Sequence, residues 1–196
     1  RYFAQFALIP CLEPRNQQEC YDMMFEAFEL SEELKVPVMV RLVTRIAHSR
    51  TAVNTREPRP QNPLQPDKQI RKWTLIPVNA RVQYKQLTEK QPELLRRAED
   101  SPHNRLELRG SKGVIACGLA GNYLLENLEP EHDFSVLMLR QYPLPTRLLR
   151  QLVEHVDDLL VLRVRRAPDE EQLDTLNRDF PDVLERGKIE VGPALP

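Results

Sequence analysis

The second half of the chain alternates short apolar runs with segments of helical periodicity, and this alternation restricts the fold more than any other feature. A short apolar run between polar or glycine residues is typical of a buried strand, and such strands are typical of parallel sheets covered by helices on both faces. We therefore predict an α/β fold with a small parallel three-layer domain over residues 106–196. The predicted strands are 112–118, 134–139 and 158–164, and the predicted helices are 120–128, 146–156 with Thr146 as its N-cap, and an acidic helix that begins near Pro168.

The first part of the chain has the same α/β character. A short helix precedes an apolar strand that stops at Pro14, because proline has no N–H to donate to a neighbouring strand. Asn16, with Glu19 three residues later, has the pattern of a helix N-terminus, and the apolar run 36–43 that follows the helix predicts a second strand. The order strand, helix, strand indicates a βαβ unit in an α/β sheet.

The middle of the chain, residues 51–105, has a different composition. Six prolines lie between positions 58 and 92, and glycine is absent from this stretch. We predict an extended, proline-rich connector that contains one helix over residues 91–99. Its apolar residues are expected to pack the connector on a domain surface; they are Trp73, Leu75, Ile76 and Val78.

Charge and hydropathy exclude several classes of protein. The 28 basic and 29 acidic residues leave a formal net charge of -1, which lacks the basic excess of a nucleic-acid-binding protein. A hydrophobic content of 41% is too high for a disordered chain, and no apolar run approaches the roughly 20 residues of a membrane-spanning helix. The three cysteines are too few and too far apart for a disulfide framework or a metal site, which predicts a reducing, cytoplasmic environment.

The densest polar segment, residues 41–50, directly follows a predicted buried strand. Open α/β sheets bind ligands beyond the carboxyl ends of their strands, and guanidinium groups beside an imidazole can hold a carboxylate, a phosphate or an acidic partner. We therefore predict the edge of an active site or of a subunit interface, where substrate or cofactor groups are oriented electrostatically by four side chains: Arg41, Thr44, Arg45 and His48. The alternative is a solvated strand exit whose arginines pair with nearby glutamates.

Other kinds of site are less well supported. Gly118 and Gly121 follow a predicted strand, but the glycine spacing of a dinucleotide fingerprint is absent, and Arg140 lies in the region where its acidic residue would be. A tight strand-to-helix turn is the favoured interpretation, with nucleotide binding as the alternative. No catalytic triad, carboxylate pair or metal-ligand cluster can be assembled from the spacing, so we predict no catalytic and no metal-binding residue.

Several motifs, in order along nearly the whole chain, resemble the alpha subunit of indolepyruvate ferredoxin oxidoreductase, a thiamine-diphosphate-dependent 2-oxoacid:ferredoxin oxidoreductase. The T-R-x-x-H-S segment is the most specific of them. The matching segments are I-P-C-L-E-P at 9–14, A-F-E-L-S-E at 27–32, V-P-V-M-V-R at 36–41, T-R-I-A-H-S at 44–49, S-P-H-N-R at 101–105 and Y-P-L-P at 142–145.

The resemblance implies an enzyme that oxidatively decarboxylates an aryl-2-oxoacid, forms the acyl-coenzyme A thioester and passes electrons to ferredoxin. It implies thiamine diphosphate with Mg²⁺ and 4Fe–4S clusters in the complete enzyme. The implied partners are the remaining domains, a beta-type subunit, ferredoxin and coenzyme A, with no nucleic acid and no membrane. Residues 1–50 would be the C-terminal part of a pyrimidine-binding domain, and residues 106–196 a transketolase-C-terminal-like domain.

The resemblance also implies that the chemistry lies outside this stretch. In the family, the glutamate that activates the thiamine aminopyrimidine lies upstream, and the diphosphate, Mg²⁺ and cluster ligands lie downstream. Because the sequence also begins at Arg1 without an initiator methionine, we predict an internal fragment that supplies structural and interface parts and binds no cofactor alone. The alternative is a non-catalytic α/β interaction module derived from that family.

Overall fold

A computed structural model describes residues 1–64, 68–163 and 190–191. Its first part contains two short strands that pair in parallel and that a long helix connects along the chain. The predicted βαβ unit is therefore confirmed. The elements of this part are α1 (Tyr2–Phe6), β1 (Cys11–Leu12), α2 (Gln17–Leu34), β2 (Met39–Val40) and α3 (Thr44–His48).

The start of α2 forms as the sequence predicts. Asn16 Oδ1 accepts a hydrogen bond from the backbone N–H of Glu19 at 2.8 Å, which satisfies one of the free donors of the first turn. The Glu19 carboxylate does not return to Asn16, because its Oε2 accepts a hydrogen bond from the backbone N–H of Arg15 at 3.0 Å. The N-cap is therefore confirmed, whereas a reciprocal capping box is not formed.

The second strand is much shorter than the predicted run 36–43. Only Met39 and Val40 pair with β1, because β1 itself has only two residues. Pro10 and Pro14 flank β1 in the sequence, and proline cannot donate to a ladder. The apolar run therefore marks the position of β2 but overestimates both its length and its burial, because Met39 and Val40 are only half-buried.

The connector is more helical than predicted. The predicted helix at 91–99 is confirmed as a helix, and a 3₁₀ helix (Ile70–Trp73) and a 13-residue α-helix precede it. These α-helices are α4 (Pro77–Glu89) and α5 (Gln91–Glu99). The sequence prediction missed α4 because its apolar residues do not form a core-facing stripe: none of its residues is buried.

The connector segment before α4 contacts α2 through polar groups. The backbone of Asn54 exchanges two hydrogen bonds with the Gln18 side chain, at 2.8 and 3.1 Å, and the backbone N–H of Arg56 donates to Tyr21 Oη at 2.9 Å. The expected packing of the apolar residues is wrong, because all four are exposed: Trp73, Leu75, Ile76 and Val78.

A five-stranded sheet in the order β3-β5-β4-β7-β8 forms the second part. Its strands pair in parallel except β3, which the sequence did not predict and which is antiparallel to β5. The α/β fold class with parallel strands is thus confirmed. The elements are β3 (Arg105–Glu107), β4 (Lys112–Cys117), α6 (Ala120–Asn127), β5 (Ser135–Leu139), β6 (Gln141–Tyr142), α7 (Thr146–His155), β7 (Asp158–Arg163) and β8 (Glu190–Val191).

Strand β6 joins the two parts of the structure. The sequence predicted a turn from Tyr142 onward, yet Gln141 and Tyr142 pair antiparallel with Leu12 and Cys11 of β1. The largest apolar cluster accordingly combines Cys11 with Leu137 and other residues of the second sheet. The two sheets therefore share one core, although the predicted borders of the three segments remain predictions.

Helix α7 begins differently from the prediction. Pro145 occupies the N-cap position and Thr146 is the first helical residue, so Thr146 is not the cap. Glu99 of α5 takes that role, because its Oε1 accepts a hydrogen bond from the backbone N–H of Arg147 at 2.9 Å. The helix predicted near Pro168 lies outside the described residues. Among the described helices, none is both long and apolar enough to cross a membrane.

Candidate functional site

A buried carboxylate lies at the carboxyl end of β1. Glu13 is only 1% exposed, and its backbone N–H donates to Arg140 O at 2.7 Å, which extends the pairing of β1 and β6 by one residue. A buried ionised carboxylate is costly unless it is paired and hydrogen-bonded. Glu13 therefore needs charged or hydrogen-bonding partners at this end of the sheet.

Two arginines supply those partners. Arg41 Nη1 donates to Glu13 Oε1 at 2.9 Å, and Arg1 Nε lies 2.8 Å from both carboxylate oxygens, with Arg1 Nη2 at 2.7 Å from Oε2. Charge-assisted contacts of this kind are the strong hydrogen bonds of proteins. Arg41, which was predicted to face a ligand, thus pairs with a nearby glutamate, as the alternative interpretation expected for this residue.

Two neutral groups lie beside this charge cluster. Burial, together with the negative charge of the adjacent Glu13 carboxylate, raises the pKa of the Cys11 thiol to about 11. Burial also raises the pKa of Tyr142 well above its usual value, and the Arg1 guanidinium lies 5.5 Å from the centre of the Tyr142 ring. A thiol with a raised pKa is a poor nucleophile, so Cys11 is a core residue here.

The turn between β4 and α6 closes against Glu13. Gly118 has a φ of +56°, and a Cβ at this position would lie 3.0 Å from Glu13 Oε2. The nearby carboxylate occupies the space in front of the turn, and its negative charge would repel a phosphate. These contacts agree with the favoured interpretation of Gly118 and Gly121, a tight strand-to-helix turn.

A second charged chain links α2 with the β5–β6 junction. Arg140 forms an ion pair with Glu19, and its Nε donates to His103 O at 3.0 Å. His103 Nε2 in turn lies 2.5 Å from Glu26 Oε2. Burial opposes ionisation of Glu19, but the hydrogen bond from Arg15 N–H and the charge of Arg140 outweigh it, so the pKa of Glu19 is lowered.

The S-P-H-N-R segment has a structural role. Asn104 is buried, and its Nδ2 donates to Ala98 O and Gln141 O, both at 2.8 Å. Its Oδ1 accepts from the backbone N–H groups of Arg140 and Gln141 at 2.8 and 3.0 Å. Asn104 therefore uses its full hydrogen-bonding capacity to fix the end of α5 against β6.

The three remaining predicted site residues lie together on α3, at the carboxyl end of β2. Thr44, Arg45 and His48 are exposed. Arg45 contacts the Tyr123 hydroxyl of α6, and its guanidinium lies 5.7 Å from the centre of that ring. Thr44 and His48 make no hydrogen bond or ion pair with the part of the chain that the structure describes, so their polar groups are accessible to a ligand or a partner.

The structure thus divides the predicted site in two. Arg41 faces inward to Glu13, whereas Thr44, Arg45 and His48 form an exposed polar edge, and their contact with a ligand or a partner stays a prediction. Sequence analysis missed Glu13 and Arg140 as members of the surrounding network. A glutamate directly after an apolar strand and directly before a proline, as at position 13, was the available signal.

The described residues do not form a complete site for thiamine diphosphate. The strand-to-helix turn at Gly118 is filled by a carboxylate, and no group of three or more potential metal-ligating side chains exists within residues 1–64, 68–163 and 190–191. The exposed groups of α3 could contact a bound anion. They include no carboxylate to bind Mg²⁺ and no backbone cradle for a diphosphate.

The geometry defines an α/β protein with parallel strands and a polar edge beyond the end of one strand. Comparison with known proteins identifies the family. The family model described as "Pyruvate flavodoxin/ferredoxin oxidoreductase, thiamine diP-bdg" matches residues 3–108. The chain therefore belongs to this family of thiamine-diphosphate-binding oxidoreductases, and the resemblance drawn from the motifs is confirmed.

Curated relatives extend the similarity over nearly the whole chain. Indolepyruvate oxidoreductase subunit IorA of Methanothermobacter marburgensis is 35% identical over 97% of this chain and 32% of its own length. The IorA subunit of Archaeoglobus fulgidus is 30% identical over 99% of this chain and 34% of its own length. The IorA subunit of Thermococcus kodakarensis is 29% identical over 89% of this chain and 29% of its own length. The chain thus spans about a third of the length of these relatives.

Proposed function

We propose that this chain is part of a subunit of a thiamine-diphosphate-dependent 2-oxoacid:ferredoxin oxidoreductase. The observation that carries the proposal is the match of residues 3–108 to the family model. Relatives named as indolepyruvate oxidoreductase subunits support an aryl-2-oxoacid such as indolepyruvate as the substrate, with an acyl-coenzyme A product and ferredoxin as electron acceptor. The complete enzyme would act in the cytoplasm together with a beta-type subunit.

Within that enzyme, the chain would have a structural and interface role. Bound thiamine diphosphate supplies the carbanion chemistry of 2-oxoacid decarboxylation. We place its diphosphate, its Mg²⁺ and the 4Fe–4S clusters outside the residues that the structure describes, because those residues form no cradle or metal cluster. Titration of this chain with thiamine diphosphate and Mg²⁺ in a calorimeter should show no binding, and a micromolar dissociation constant would refute this division of roles.

The exposed groups of α3 would orient a charged group at the edge of the active site or of a subunit interface. The buried Glu13–Arg41 pair holds the residue at the exit of β2, and the contact of Arg45 with Tyr123 holds α3 against α6. A guanidinium held in this way loses little further freedom when it binds an anion. Arg45 would provide charge, and Thr44 and His48 would provide hydrogen bonds.

An activity assay tests the proposed reaction. The complete enzyme, purified anaerobically with its partner subunit, should reduce ferredoxin or a viologen dye with indolepyruvate as the substrate. Turnover should depend on coenzyme A and thiamine diphosphate, and kcat/KM should be higher for indolepyruvate than for pyruvate. Preference for pyruvate would refute the aryl substrate while leaving the reaction class intact.

The second candidate is a non-catalytic interaction module derived from the same family. The large exposed apolar residues of the connector, such as Leu75 at 95% exposure, favour a protein whose surface is covered in an assembly. The assay above separates the two functions. A complete protein that binds its partner subunit but turns over no 2-oxoacid would support the module.

A further inference from the structure

The 3₁₀ helix and α4 carry an apolar surface that the described chain leaves uncovered. We call residues 70–85 the basic arm. Trp73 is 64% exposed and Leu75 95% exposed, and Val78 and Val82, one turn apart on α4, are exposed as well. Because an isolated helix of about 13 residues is marginally stable in water, α4 would gain stability from a partner that covers this surface.

The basic arm itself carries only basic charges, and the next carboxylate along α4, that of Glu89, lies 3.9 Å from Lys85 Nζ with both side chains well exposed. Residues 68–88 contain no aspartate or glutamate. Arg81 and Lys85 lie one turn apart on α4, next to the stripe formed by Val78 and Val82. A partner for the basic arm should therefore present apolar side chains among acidic ones.

Helix α2 offers a surface of that kind. It contains six acidic residues and no basic residue, and its Met24 and Phe28, one turn apart, are exposed despite their size. Glu32 continues the same stripe by a further turn, and Glu29 lies beside Phe28. We call the surface formed by Met24, Phe28, Glu29 and Glu32 the acidic face.

We propose that the basic arm of one copy of this chain packs on the acidic face of a second copy, and that the basic arm of the second copy packs on the acidic face of the first. Both surfaces are exposed within a single chain, and each has the charge and the apolar stripe that the other needs. A reciprocal contact buries both pairs of surfaces in a closed, two-fold dimer.

Contacts within the chain do not prevent this arrangement. Glu29 pairs with Arg59, and Glu32 lies 3.6 Å from Lys35 Nζ. All four of these side chains are about half exposed or more, and exposed ion pairs contribute little stability. They can therefore be exchanged for contacts with the arm of a second copy.

Sedimentation velocity of the protein over a range of concentrations tests the proposal. The unmodified chain should form a reversible dimer that weakens at high salt, because exposed charges are screened. The double variant Trp73→Ser, Leu75→Ser and the single variant Phe28→Ser should each raise the dimer dissociation constant by about tenfold or more. Phe6→Ser is the matched control, since Phe6 is also a largely exposed apolar residue, on α1, and should leave the dimer unchanged.

A charge exchange distinguishes this contact from any other interface. The variants Arg81→Glu, Lys85→Glu on the arm and Glu29→Lys, Glu32→Lys on α2 should each be monomeric alone, whereas an equimolar mixture should form a heterodimer. Circular dichroism checks that both remain folded. A monomer at all concentrations, a dimer insensitive to these substitutions, or a mixture that fails to associate would each overturn the proposal. Monomers whose arm becomes protected only in the complete enzyme would show that another part of that enzyme is the true occupant.

Discussion

Gly118 and Glu13 meet where the two sheets join: a Cβ at position 118 would lie 3.0 Å from Glu13 Oε2. One residue ends β4 in a left-handed conformation, and the other ends β1 with a buried charge. Arg41, in the loop after β2, binds the same Glu13 carboxylate. The position of that loop therefore depends on the second sheet.

Replacing Gly118 with alanine should destabilise the protein. A side chain in the left-handed region costs about 1–2 kcal/mol, and the added Cβ must also displace the Glu13 carboxylate. We expect a lower midpoint in urea-induced unfolding followed by circular dichroism. Lys35→Gly is the control: Lys35 has a φ of +54° at the C-cap of α2, so glycine there should leave stability unchanged or raise it. Equal stability of Gly118→Ala and the unmodified protein would contradict the described contact.

Replacing Glu13 with glutamine should be more damaging. The substitution removes the negative charge between two largely buried guanidinium groups, and breaking a buried ion pair in this way typically costs about 3 kcal/mol or more. The same urea titration measures the effect. Glu126→Gln changes an exposed carboxylate on α6 and should have almost no effect. If the two variants were equally stable, Glu13 would not be the anchor of this cluster.

The lowered pKa of Glu19 makes a prediction about acid stability. A carboxyl group whose pKa is lower in the folded than in the unfolded state contributes stability above its unfolded pKa of about 4.3. That contribution is lost as the pH falls through the folded pKa. Thermal unfolding followed from pH 7 to pH 3 should therefore show a smaller loss of stability for Glu19→Gln than for the unmodified protein. A steeper acid limb in the variant would mean that Glu19 is not paired with Arg140 and Arg15.

The sequence predicted the buried elements of the fold well. Runs such as 112–118 have a pattern that packing against neighbours enforces, and β4 forms there. The same reasoning missed β6, because a two-residue strand has no periodicity and is defined only by its partner β1. It missed α4 because none of the residues of that helix is buried, so its apolar side chains mark no core-facing side.

The contacts of the candidate site residues could not be predicted from the sequence, because they also depend on partners that are distant along the chain. Spacing along the chain places Arg41 and Arg45 near the exit of one strand, but it does not show which partner each side chain meets. Arg41 turns to Glu13 and Arg45 to Tyr123, residues distant in sequence that only the folded chain brings close. The role of the exposed residues Thr44, Arg45 and His48 stays a prediction.

The most direct test of the central claim, that this edge serves a 2-oxoacid oxidoreductase, is kcat/KM for indolepyruvate measured on the complete enzyme carrying Arg45→Gln. Loss of a hydrogen bond to a charged group corresponds to about 1.5–3 kcal/mol, so kcat/KM should fall by about tenfold or more. Arg150→Gln, at an exposed arginine of α7, is the matched control and should leave kcat/KM unchanged. Values for Arg45→Gln, Thr44→Ala and His48→Ala that all equal the unmodified enzyme would contradict the assignment of this edge.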